Sequence, residues 1–267
     1  WLLANFPNEA ELIPGSRPME DRERDMLARE VLAEMLVEAK HNNDQHTLDA
    51  VEQFTLRKDP EALRSWLMRC AGASHLWIGS GAWQPPLKPR VLNLLGLPSD
   101  AGEAHLFEHC DPRCFDDETL QACLEGYRGW KSKSADVAVP AIEAWLAASA
   151  ESRLEQIDDL SDALFYKNGN PKLPKAASDE FVNASQGAVQ AISRILDFRT
   201  LLELSDFLTP ALELGRAFAL KWEETKQRKG LLDFDDLIRR AADLLRQKEM
   251  ADWIRYKLDR QFDHVLV

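Results

Sequence analysis

The chain has 267 residues, of which 45% are hydrophobic and 29% charged, the make-up of a folded soluble protein that is long for one hydrophobic core and short for two large ones. Its 33 Lys and Arg face 45 Asp and Glu, a formal net charge of −12, which excludes a surface given over wholly to phosphate binding but not a local basic patch. No apolar run approaches the ~20 residues a membrane helix needs, so no membrane partner is expected.

Hydrophobic spacing predicts a mainly α, multi-helix fold with a short terminal β-strand. Glu20 to Lys40 reads as an amphipathic helix, with Leu27, Val31, Met35 and Ala39 on one stripe and charges opposite. Leu48 to Lys58 and Glu61 to Cys70 are shorter helices parted by Asp59-Pro60, since proline suits a first helical turn. Pro85, Pro86 and Pro89 mark an irregular connection. A helix from Glu118 to Tyr127 has Asp116 or Asp117 as its cap. The small, polar "KSKSADVA" reads as a loop, and Ala141 to Leu164 as one helix whose apolar stripe includes Trp145. "YKNGNPKLPKAASDE" is an exposed loop. Helical spacing returns from Ser185 to Phe207, and Thr209-Pro210 looks like a fresh helix start running to Lys229 and stopped by Gly230.

"GLLDFDDLIRRAADLL" is the most informative stretch. Asp233 is placed to cap a helix and Asp236, three residues on, to return the bond, an aspartate form of the capping box. Leu232 and Leu237 can form a hydrophobic staple, and Asp235 and Asp236 suit the positive end of the helix dipole. Leu237, Ile238, Ala241, Leu244 and Leu245 form the expected buried stripe. The three acids therefore start a helix; a metal or catalytic site is the alternative. A short helix from Asp252 to Leu258 follows, and then "FDHVLV", in which Val265 to Val267 read as the opening of a buried strand. With Trp1 at the other end and no signal segment, the expectation is a piece of a longer protein.

Two stretches pair lysines or arginine with aromatic rings. Tyr166, Lys167, Lys172 and Lys175 occupy a loop free of acids until Asp179. Lysines can neutralise phosphates and a tyrosine can stack on a base; an ordinary solvated loop is the alternative. "GYRGWKSK" offers Arg128 and Lys131 beside Tyr127 and Trp130, with core aromatics as the alternative. "HLFEHCDPRC" gathers His105, His109, Cys110 and Cys114 ahead of Cys123, but its spacing fits no common zinc finger and no metal is expected. The four cysteines are too few for a disulfide framework in a chain this long, so free thiols and a cytoplasmic location are expected.

Several of these stretches also resemble a known family. "DFDDL" (Asp233, Phe234, Asp235, Asp236, Leu237), then a short helix with Trp253 and "YKLD", then "DHVLV", resembles the superfamily 1 DNA helicases of the UvrD/Rep type. The closer likeness is to AddA-type helicase-nuclease subunits of bacterial double-strand-break repair. "LLANFPNEAELIPGSRPMEDRERDML", "FDDETL" (Phe115 to Leu120) and "ALELGRAFALKWEETKQRKGLLDFDDLI" are similar to that family in its order, and the likeness is patchy between Leu48 and Ser205. The resemblance implies a fragment lying between the Walker A and Walker B motifs. Residues 1–18 would be a remnant of motor domain 1A, 19–220 the helical accessory subdomain 1B, and 221–267 the return into 1A.

In that family the last strand carries the Asp-Glu that serves Mg²⁺ and the ATP-attacking water. The resemblance thus implies a parent that uses ATP and Mg²⁺, acts on DNA and works with an AddB-like subunit. No Gly is followed by Lys anywhere here, so no phosphate loop can be drawn, and the chain itself is expected to hold no cofactor and no catalytic residue. The alternative is a free-standing helical interaction or scaffold protein without enzymatic activity.

Overall fold

Helical periodicity becomes eleven α-helices among the described residues of this computed structural model, which are 3, 6–10, 12–13, 15–78, 81 and 83–258. The fold is mainly α, with one short parallel pair of strands. The strand expected at Val265 to Val267 lies outside the described residues. Two compact units are present: residues 1–87 with 209–267, and residues 88–208.

The first unit begins with β1 (Arg17–Pro18), α1 (Asp21–His41), α2 (Gln45–Arg57), α3 (Pro60–Gly72) and a 3₁₀ turn at Ser74–Leu76. Asp44 and Asp59 cap α2 and α3 by accepting from the amides of Thr47 and Ala62. The stripe expected on α1 is buried. Glu30, Glu34 and Glu38 run alongside it, one turn apart. They meet Lys229, Arg228 and Lys221 at 2.6, 3.7 and 2.6 Å, in antiparallel order. These three residues lie near the C-terminal end of α9 (Asp179–Lys229). Gly215 of α9 lets α3 come close: a Cβ there would stand 2.5 Å from Cys70 Sγ. Trp66 of α3 donates its indole N–H to the Ala211 carbonyl at 3.0 Å.

After α9 the chain turns at Gly230, whose φ of 63° is the left-handed value a helix-ending glycine adopts at little cost. It enters β2 (Leu231–Leu232), then α10 (Phe234–Arg246) and α11 (Lys248–Leu258). β2 runs parallel to β1, with Arg17 opposite Leu231 and Pro18 opposite Leu232.

The second unit holds α4 (Lys88–Leu94), α5 (Glu103–Cys110), α6 (Asp117–Arg128), α7 (Lys133–Ala147), α8 (Ala150–Leu164) and the first part of α9. α7 packs on both α6 and α8, and α5 packs on α8. The core is one cluster that includes Leu120, Tyr127, Ile142, Trp145, Ile157, Leu160 and Ile192. Gly126 and Gly187 make room for Phe181 and Thr119, whose side chains a Cβ would meet at 2.2 and 2.8 Å. Arg153 is fully buried. Its guanidinium donates to the carbonyls of Trp145 (3.0 Å) and Cys110 (3.2 Å) and to Asp117 Oδ2 (2.8 Å), so one cation ties four helices together.

Several expectations are corrected. "KSKSADVA" is not a loop throughout: Ser132 caps α7 through the Ala135 amide, and Ala135 and Ala138 are buried on it. Ala141 to Leu164 is two helices, because Ser149 leaves the helical conformation and caps α8. Thr209-Pro210 starts nothing. Thr209 is 9% exposed and its hydroxyl caps no helix, while Pro210 sits inside α9. A proline there forfeits one backbone bond, and buried residues on both sides, Leu202 and Ser205 before it, Ala211 and Leu214 after it, keep the helix going. Of the stripe expected on α10, Leu244 alone is buried; Ile238 and Leu245 are exposed, as is Phe234.

Candidate functional site

Two constellations gather polar groups. The first lies where α9 gives way to α10. The capping box is complete: Asp233 Oδ1 accepts the Asp236 amide at 2.8 Å, and Asp236 Oδ2 accepts the Asp233 amide at 3.0 Å. Into this box reaches Lys226, 1% exposed. Its ammonium donates to Asp233 Oδ2 and Asp236 Oδ2, both at 2.6 Å, and stands 3.0 Å from Glu223 Oε1. Trp222 lies beside it, 6.0 Å from ammonium to ring centroid. Arg239 adds a second cation, 2.9 Å from Asp236 Oδ1, and also donates to the Ser74 hydroxyl.

Burial alone would discharge these groups. It opposes the charge on Lys226, yet the hydrogen bonds to Asp233 and Asp236 outweigh it and the ammonium pKa is raised. Burial likewise opposes the Asp233 carboxylate, but Lys226 holds its pKa below the usual range. Oxygens of Glu223, Asp233 and Asp236 converge within 4.8 Å, as ligands for a metal ion do. The cation they surround is the Lys226 ammonium. The arrangement fixes the turn between α9 and α10. Within the "DFDDL" motif, Asp233 and Asp236 form this cage, Leu237 is half-buried, and Phe234 and Asp235 face solvent.

Sequence reasoning missed Lys226. A signal was present: Ala219, Trp222 and Lys226 follow at helical spacing on one stripe, and the first two are fully buried. A lysine on such a stripe requires a buried acid.

The second constellation is the loop after α8. Phe165 and Pro171 form an antiparallel bridge, the Tyr166 amide donates to the Asn170 carbonyl at 2.9 Å, and Gly169 turns the chain at φ 79°. The Lys172 carbonyl accepts from the buried Tyr127 hydroxyl at 2.8 Å. The Lys172 ammonium donates to the Asp162 carbonyl at 2.6 Å and lies 5.9 Å from the centroid of the Tyr166 ring, a residue 52% exposed. Tyr166, Lys167 and Lys172 line one cavity of about 590 Å³. Lys175 is exposed further along the loop.

Arg128 and Lys131 do not line that cavity. Arg128 is engaged by Glu125 and Glu143, both at 2.7 Å. Its aromatic neighbours are core: Tyr127 is buried and Trp130 packs against the same cluster. In the His-Cys stretch, Cys110 and Cys123 are buried and Cys114 is exposed, while His105 and His109 pack on Phe198 at 6.3 and 5.1 Å between ring centroids. Among the described residues, these side chains form no group with converging ligand atoms.

No protein-family model matches the chain, and no curated protein matches it.

Proposed function

We propose that the chain is the DNA-engaging accessory region of an ATP-dependent helicase-nuclease subunit of the AddA type, acting in double-strand-break repair. One observation carries this reading. β1 and β2 lie side by side and parallel, so the chain between them leaves one place and returns to it. That is the path of an insertion into another fold, and the family resemblance is to an insertion between Walker A and Walker B. The "DFDDL" helix follows directly on β2. In the parent, ATP and Mg²⁺ drive movement along DNA, an AddB-like subunit assembles with it in the cytoplasm, and this chain supplies DNA contacts.

The flanking coding sequence tests the reading first. A Gly-Lys-Thr or Gly-Lys-Ser loop upstream and Asp-Glu directly after Val267 are expected; flanks lacking both overturn it. The isolated chain should turn over no ATP. In the parent, Lys172→Glu with Lys175→Glu should weaken DNA binding and flatten its salt dependence by a log–log slope of about 1.4–1.8. A helical interaction protein is the second reading, favoured by the exposed apolar residues Phe234, Ile238 and Leu245 on α10.

A further inference from the structure

We infer that the cavity beside Tyr166 is a seat for one unpaired nucleobase, with the backbone of a single DNA strand running past Lys167 and Lys172. The inference rests on the DNA-engaging reading above and deepens it by naming the form of DNA.

Tyr166 is half exposed and lines a cavity of about 590 Å³, within the ~300–1,000 Å³ span of small-ligand sites and large enough for a nucleotide. An aromatic ring lining an open cavity offers stacking, and any base has a face to offer in return. The platform is set in advance. The Phe165–Pro171 bridge, the Tyr166–Asn170 hydrogen bond and the Tyr127–Lys172 hydrogen bond hold both sides of the loop, so little ordering is left to the binding step.

The cations are placed for a backbone rather than a base. Lys167 is exposed and lines the cavity. Lys172 spends one N–H on the Asp162 carbonyl, and an ammonium carries three. Asp162 also lines the cavity, so phosphate is directed to the lysine side and the uncharged base inward. Ser193 and Leu196 also line it, a hydroxyl and an aliphatic surface suited to a base edge and face. A paired base has no free face to insert, so the seat selects single strands over duplex.

The test uses the full chain and fluorescence anisotropy at low salt, with oligo-dT of about 12 nucleotides, the same strand made fully abasic, and a blunt duplex. Wild type should prefer oligo-dT to the other two. Tyr166→Ala should weaken oligo-dT binding about 5- to 100-fold and leave the duplex unaffected, while Tyr166→Trp should restore it. Lys167→Glu should weaken oligo-dT and the abasic strand alike. Circular dichroism of each variant guards against misfolding. Equal binding of oligo-dT by wild type and Tyr166→Ala overturns the seat. If duplex still binds, the DNA-engaging reading survives that result. Binding of no DNA at all removes both. A Tyr166-dependent preference in a protein whose flanks lack the helicase motifs keeps the seat and removes the parent assigned above.

Discussion

Replacing Lys226 by methionine removes the cation and keeps much of the bulk. Three carboxylates are then left facing one another in a buried site, with oxygens that had stood 2.6, 2.6 and 3.0 Å from the ammonium. Breaking a buried ion pair by deleting one partner costs about 3–5 kcal/mol. Arg239 stays 2.9 Å from Asp236 and 3.7 Å from Glu223, which puts the expected loss near the lower figure, ~3 kcal/mol.

Its pH dependence distinguishes the electrostatic cause from a packing defect. In the wild type the depressed Asp233 pKa contributes stability that is present at neutral pH and lost only as pH falls below about 4. The raised Lys226 pKa contributes stability that is full below about 10.5 and lost as pH rises through the folded value. In the variant Asp233 keeps the burial that pushes its pKa up and loses the Lys226 contact that holds it down, so it takes up a proton more readily and the deficit should shrink between pH 7.5 and pH 5. Urea unfolding followed by circular dichroism, with amide exchange at Asp236, measures it. Adding Asp233→Asn, which still caps the helix, should recover part of the loss. A variant within ~0.5 kcal/mol of wild type at pH 7.5, or a deficit unchanged at pH 5, would refute the cage.

Further outcomes concern the packing. Arg153→Leu should destabilise the second unit by ~3 kcal/mol, since it strands Asp117 and the carbonyls of Cys110 and Trp145; thermal unfolding checks this. Gly215→Ala should cost about 1–3 kcal/mol by forcing Cys70 away from α9, and Cys70→Ala in the same chain should return part of it. With a thiol reagent at pH 8, Cys114 should react quickly. Cys70, Cys110 and Cys123 should react only on unfolding, because burial hides them and pushes each thiol up to about 11.

Local chemistry was legible in the sequence wherever a short-range rule decides the outcome. Asp59-Pro60, Gly230 and the Asp233–Asp236 box all read correctly because capping and chain reversal are settled within four residues. What failed depended on distant partners. Pro210 was given too much weight because the burial that carries α9 through it comes from packing along the helix. The lysine-and-serine run before Ala135 hid a helix because composition masked the Ser132 cap. Lys226 and Arg153 each sit on an apolar stripe, Arg153 one turn before Ile157, yet short-range rules say nothing of either. A charge in a hydrophobic row signals a specific partner elsewhere, and the row alone does not name it.

The parallel pairing of Arg17–Pro18 with Leu231–Leu232 has a consequence for the order of folding. Closing a loop of the length between them costs roughly 5 kcal/mol in chain entropy. The hydrogen bonds seen across the pair, from the Arg17 amide to Gly230 and from the Met19 amide to Leu232, return about 1 kcal/mol each. The strands therefore cannot recruit the helices; the helices must bring the strands together, and the pair should zip last and open first. The helical excursion can be lengthened or shortened over evolution as long as it delivers those two ends to the same spot, since the neighbouring strand reads only the separation of the ends and not the path between them.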